Sequence, residues 1–143
     1  MRAVSDELIV CTDDGSAGRR ALVTEPLKEL LAAGGVARAW AIGPAVMMKF
    51  CVETTRPFDL PIIVSLNTVM VDGTGMCGGC RVSLTGGAKF VCVDGPEFDG
   101  REVDWPLLLS RQAYYRDEER EANVRWEETC RVLAAARAVE SKA

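Results

Sequence analysis

The sequence predicts an α/β chain, and three observations carry that prediction. Across the first 66 positions, short apolar runs alternate with helical stretches of about ten residues, the rhythm of βαβ units with parallel strands. A glycine- and cysteine-rich loop and a β-hairpin then break that rhythm, and a charged, helical C-terminal stretch follows. With 143 residues, 48% of them hydrophobic, the chain is long enough for one cored domain or two small ones.

The elements follow in order. Residues 7–11 (ELIVC) read as a short buried strand closed by the polar turn Thr12-Asp13-Asp14-Gly15-Ser16. Thr24 is expected to cap a helix with Glu25 and Pro26 in its first turn. Leu27, Leu30 and Leu31 fall on one face of it, and Gly34-Gly35 ends it. Residues 36–42 (VARAWAI) form the next predicted strand, stopped by Gly43-Pro44, and residues 45–54 the second helix, which ends before Pro57. Residues 61–66 (PIIVSL) are the third strand. A hairpin is predicted from 81–84 and 88–93, joined at Gly86-Gly87. Past Trp105 the pattern is helical and charged, with Trp126, Cys130 and Leu133 on one face.

Composition removes several function classes. Seventeen basic against 21 acidic residues give a net charge of −4 with no basic stripe, which argues against nucleic acid as a partner. No apolar run approaches the length of about eighteen residues that a spanning helix needs, so no membrane partner is expected. The opening MRAVSDELIV has neither a basic start nor a long apolar stretch, and a cytoplasmic location is the expectation. There is no histidine, so the commonest general base and imidazole ligand are missing. Any metal must be held by thiolates and carboxylates.

The six cysteines divide into two groups. Cys11, Cys51 and Cys130 lie scattered in apolar or helical contexts and read as small core residues. Cys77, Cys80 and Cys92 cluster within sixteen residues. Together with Asp72 they spell D-x₄-C-x₂-C-x₁₁-C, in which the aspartate takes the first slot of the ferredoxin spacing C-x₄-C-x₂-C…C. The glycines at 73, 75, 78 and 79 would let backbone N–H groups wrap a [2Fe–2S] cluster closely. On spacing alone, a structural zinc, a Cys-x-x-Cys dithiol and a glycine-rich turn with incidental cysteines remain open.

The segment VDGTGMCGGCRVSLTGGAKFVCVDGPEFDGREVDW resembles the electron-transfer flavoprotein subunits of the ferredoxin–NADP⁺ reductase superfamily. Within that group it is most similar to the small subunits of NADH-dependent reduced ferredoxin:NADP⁺ oxidoreductases, and more distantly to the dihydroorotate dehydrogenase electron-transfer subunits. The resemblance implies a [2Fe–2S] cluster held by Asp72, Cys77, Cys80 and Cys92. Upstream, Thr12-Asp13-Asp14-Gly15-Ser16 and Ile42-Gly43-Pro44-Ala45-Val46-Met47-Met48 resemble later strand ends of the superfamily's NAD(P)-binding domain. That implies nucleotide contacts at Asp14, Gly15, Gly43 and Pro44.

The expected layout is an incomplete Rossmann-like NAD(P)-binding domain of three parallel strands with helices (1–68). A [2Fe–2S]-binding loop and hairpin (69–104) and a C-terminal helical extension (105–143) follow. Relatives open with a flavin-binding barrel and a glycine-rich βα turn, and neither precedes residue 7. FAD and NAD(P) are therefore expected of the complete family protein. The expected partners are a larger flavin/iron–sulfur oxidoreductase subunit and a chain or segment supplying the flavin-binding half. The expected function is electron relay through the cluster between flavin and partner, with a non-catalytic, zinc- or cluster-binding structural subunit as the alternative.

Overall fold

A computed structural model describes residues 3–140, and the side chains up to residue 131. The contacts divide the chain into two units, Met1–Leu109 and Ser110–Ala143.

The first unit is organised around one small sheet. Strand β3 (Ala39–Ile42) runs parallel to β4 (Ile62–Ser65), with Ala39 opposite Ile62 and Ile42 opposite Ser65. The connecting helix α2 (Ala45–Thr55) starts directly after Pro44, whose carbonyl accepts from the Met48 N–H at 3.0 Å. Alternation along β4 buries Ile62 and Val64, and α2 covers them with Met48, Cys51 and Val52. The buried Thr55 hydroxyl donates to the Val52 carbonyl, so the polar group at the end of that face is satisfied.

Helix α1 (Thr24–Ala33) packs beside α2 and ends as expected at Gly34, whose φ of 80° only a glycine adopts readily. Thr24, however, is the first helical residue rather than the cap: Val23 precedes it and no side chain caps the helix.

The three parallel strands expected from the sequence are not what forms. The third strand of this sheet is β7 (Glu97–Asp99), which pairs antiparallel with β4, Val64 lying opposite Phe98. Of the predicted 7–11 strand only Cys11 falls in a strand, β1 (Cys11–Thr12). This β1 pairs in parallel with β2 (Arg19–Arg20) in a separate two-stranded ladder. The side chains of Leu8, Ile9 and Val10 are exposed, and among the described residues no further strand lies beside them to continue the ladder. Sequence alternation had no means of showing that β7, coming from far along the chain, would take the free edge of β4.

The hairpin forms with a shorter second arm. Strand β5 (Arg81–Leu84) pairs with β6 (Gly87–Phe90), and the chain then turns into the short helix α3 (Val91–Asp94) instead of continuing extended to residue 93. Helix α4 (Trp105–Gln112) returns to the core with Trp105 and Leu108, and the Trp105 indole N–H donates to the Gly100 carbonyl at 3.0 Å. In the second unit, α5 (Arg116–Glu140) is a long helix carrying Arg120–Asp117 and Arg125–Glu121 pairs along its surface. Of the expected apolar face Trp126 is 66% exposed, and the Leu133 side chain lies outside the described residues.

Gly100 sits where β7 leaves the sheet. A methyl group there would lie 2.5 Å from Val52 Cγ2 and 2.9 Å from Val64 Cγ1, both fully buried. Gly100→Ala is expected to destabilise the fold by about 1–3 kcal/mol through overpacking. A lowered thermal midpoint checks this; an unchanged one contradicts the packing described.

Candidate metal centre

The segment between β4 and β7 carries the cysteine cluster, and its two ends are pinned together. Ser65 pairs with Glu97, and the Leu66 N–H donates to the Pro96 carbonyl at 2.9 Å. Residues 66–96 thus leave and re-enter the sheet at one place, a loop closed by a ladder.

Within it, the first ligand candidates form one pair. The Asp72 carboxylate accepts from the Thr74 N–H at 2.8 Å through one oxygen and from the Cys77 N–H at 3.0 Å through the other. These two donors, the Thr74 amide foremost, hold the Asp72 carboxyl below the usual aspartate range, so it is ionised at neutral pH. Cys77 follows on the exposed side of the loop, and its sulfur accepts from the Gly79 N–H at 3.4 Å.

Cys80 and Cys92 form the second pair, 3.2 Å apart. Two thiolates on one tetrahedral metal with bonds of 2.3 Å stand about 3.8 Å apart, and a disulfide would bring them to about 2.05 Å. The observed separation lies between the two values and is too long for a disulfide, and all six cysteines are free. The Cys92 amide and thiol draw the Cys80 thiol below its ordinary range, while the adjacent Cys80 sulfur raises Cys92.

Cys80 is only 3% exposed and belongs to the same core as Val64, Val82, Val91 and Phe98. The position of Cys92 corrects the sequence reading: it lies on α3 and not on a hairpin strand. Asp94 holds that turn. Its carboxylate accepts from the Phe90 N–H at 2.7 Å, reaching back to the residue before the helix as in a capping box, and pairs with Lys89 at 3.6 Å. Sequence reasoning passed over Asp94 because the segment looked extended, although an aspartate next to Gly95 was the available signal of a helical turn. Gly75 closes the loop over this turn. Its φ is 87°, and a Cβ there would lie 2.7 Å from Val93 Cγ2, so both conformation and space demand glycine.

Among the described residues, no three Cys, Asp or Glu side chains gather as a site for one metal ion. What forms is the Asp72 carboxylate on the Cys77 backbone N–H, and the Cys80 sulfur against the Cys92 sulfur. A single tetrahedral zinc needs its ligands around one point. A two-iron cluster needs two on each iron, and the donor set of one carboxylate and three sulfurs fits that group.

The other cysteines take no part: Cys51 is buried against the sheet, and burial pushes its thiol up. The nucleotide candidates are less well gathered. Asp14 accepts from the Ser16 N–H at 2.9 Å, which holds its carboxyl below the usual range, and so fixes the turn containing Gly15. Gly43 lies under Met47, whose Cε comes within 2.8 Å of where a Cβ would stand. A cavity of 530 Å³ bordered by Cys11, Asp13, Thr24, Pro44, Met47 and Phe50 includes only Pro44 of the four candidates.

Residues 67–104 match the family described as the iron-sulfur cluster binding domain of dihydroorotate dehydrogenase B. The chain is 55% identical over 119 residues to a Thermotoga maritima protein named as a homolog of the dihydroorotate dehydrogenase B (NAD(+)) electron transfer subunit. That match spans 83% of this chain and 42% of the relative. A Clostridium beijerinckii protein of no assigned function is 46% identical over 130 residues, 90% of this chain and 44% of its own. Among solved structures, a chain of NADH-dependent reduced ferredoxin-NADP oxidoreductase, solved for insight into flavin-based electron bifurcation, superposes with a TM-score of 0.76. It is 52% identical and the match covers 87% of this chain and 45% of that one. The superfamily resemblance read from the motifs is thereby shown, and the chain spans less than half the length of these relatives. Among the described residues no helix is long and apolar enough to cross a membrane.

The lowered Asp72 pKa has a direct consequence for the loop. Its contribution is present above the unfolded aspartate value of about 3.9 and is lost as pH falls through the lower folded value. In the cluster-free protein, protection of the Thr74 and Cys77 amides against hydrogen exchange, taken relative to their intrinsic rates, is expected to persist at pH 5 and to fall with a midpoint below about 3.9. A midpoint at or above that value contradicts the assignment.

Proposed function

We propose that this chain, a homologue of part of the dihydroorotate dehydrogenase B electron-transfer subunits, holds a [2Fe–2S] cluster on Asp72, Cys77, Cys80 and Cys92. In this reading it is the electron-relaying part of a flavin- and NAD(P)-dependent oxidoreductase. The observation that carries the reading is that all four donors lie inside the matched segment, where the Asp72 carboxylate is seated on the Cys77 backbone and the Cys80 and Cys92 sulfurs meet each other. When bound, such a cluster supplies one-electron transfer at a potential set by its ligands, hydrogen bonds and burial. The chain's own residues do the rest. Cys80 anchors the site in the core, Asp94 orients the turn bearing Cys92, and the Asp72 carboxylate is held ionised by the loop amides.

The rest of the layout follows from the same reading. Residues 1–68 are part of a Rossmann-like NAD(P)-binding domain, with Asp14, Gly15, Gly43 and Pro44 at the strand ends that face a nucleotide. Residues 69–104 are the cluster module and 105–143 a helical extension. Trp40 and Ile42 on β3 are 55% and 71% exposed, although parallel strands are ordinarily covered on both faces. The exposed Leu8, Ile9 and Val10 belong to the same pattern. A chain or segment carrying the flavin-binding half fits these surfaces, and a larger flavin/iron–sulfur subunit is the electron-transfer partner. FAD and NAD(P) then belong to the assembled protein. Six free thiols suit a reducing compartment such as the cytoplasm.

Anaerobically purified protein is expected to absorb in the visible and to contain iron and acid-labile sulfide in equal amounts. Cys80→Ser should abolish the absorption while Cys51→Ser keeps it. Zinc in place of iron, or equal loss in both variants, would refute the assignment. Asp72→Cys is expected to retain the cluster and shift its midpoint potential, because oxygen and sulfur donate differently to iron; a redox titration followed by absorbance reads the shift.

A further inference from the structure

Thr68 is the one residue among those described whose side-chain polar atom is fully shielded and has no hydrogen-bond partner. An unmade hydrogen bond on a buried hydroxyl costs about 1–3 kcal/mol, so such an orphan calls for an acceptor.

Its surroundings point to where that acceptor is. Burial alternates along the chain leaving β4: Leu66 is buried, Asn67 exposed, Thr68 half-buried and Val69 exposed, so Leu66 and Thr68 share the inward side. Leu66 belongs to the same core as Cys80, itself one of the ligand candidates, and Val91, the residue before Cys92. The next residues lie against the cluster loop itself. The point from which a Gly79 side chain would start is 3.7 Å from the Val69 carbonyl oxygen, 3.2 Å from Val71 Cγ2 and 3.5 Å from the Cys77 sulfur. Thr68 is therefore one residue from backbone that packs on the glycine between two ligand cysteines.

We propose that the Thr68 hydroxyl donates a hydrogen bond to a sulfur of the cluster or of its thiolate ligands, which makes Thr68 a residue that tunes the potential without ligating the metal. The inference rests on the [2Fe–2S] reading above. A donor aimed at sulfur stabilises the reduced, more negative form and so raises the midpoint. It also gives the shielded hydroxyl the acceptor that the described protein groups do not supply.

The test compares Thr68→Val and Thr68→Ser with the wild type, each first assayed for iron, sulfide and visible absorption. With the cluster intact, Thr68→Val is expected to move the reduction equilibrium several-fold toward the oxidised form, where tenfold corresponds to 59 mV for one electron. Thr68→Ser should stay close to the wild type. Because the hydroxyl has no acceptor in the protein, cluster-free Thr68→Val should melt no lower than cluster-free wild type. An unchanged midpoint in an intact Thr68→Val cluster overturns the proposal while leaving the cluster assignment standing. A lowered melting point of the cluster-free variant with an unchanged midpoint in Thr68→Ser and Thr68→Val alike assigns the hydroxyl to structure and overturns it too. A wild type without iron or sulfide removes the [2Fe–2S] reading and the proposal with it.

Discussion

The ladder between β4 and β7 is the constraint on which the site depends. Pairing Ser65 with Glu97, and closing Leu66 onto Pro96, ties the entrance and exit of the cysteine loop to one edge of the sheet. A free loop of this length would lose its conformational entropy only on binding metal. Here the closure is made in advance by backbone hydrogen bonds and by the burial of Val64 and Phe98. The clash that a methyl at Gly100 would meet shows how closely the exit strand is packed on that sheet.

From this anchor the donors are presented with different degrees of rigidity. Cys80 is part of the core, and Cys92 rides on a helical turn that Asp94 caps. Asp72 and Cys77 sit on the exposed side, where backbone amides rather than packing determine their geometry. An inner thiolate pair fixed by the core and an outer pair fixed by loop hydrogen bonds leave one side of the centre near solvent. In the proposed cluster site, that asymmetry would keep the buried ligands in place while the outer ones face solvent.

The part of the chain before the cluster module has a different character. Strand β3 has a paired edge toward β4, yet Trp40 and Ile42 are solvated, and β1 stands in a ladder of its own. Apolar side chains of this kind are not stabilised by water. Their exposure goes with the fact that the relatives are more than twice as long as the stretch matched here.

Much of this was legible in the residues themselves. Helix α1 with its Gly34 stop, helix α2 after Pro44 and strands β3 and β4 rest on local spacing and turn chemistry, which a linear sequence carries directly; the proposed set Asp72, Cys77, Cys80 and Cys92 rests on ligand type and spacing alone. The strand order did not, because it depends on which segment reaches the free edge of β4, and β7 comes from more than thirty residues away. The helical turn at Cys92 was hidden for a related reason: an apolar Val-Cys-Val reads equally as strand or helix until a carboxylate from Asp94 closes on the Phe90 amide. The orphaned Thr68 hydroxyl belongs to the tertiary structure alone. A threonine in a sequence looks satisfied until packing removes the water that would have partnered it.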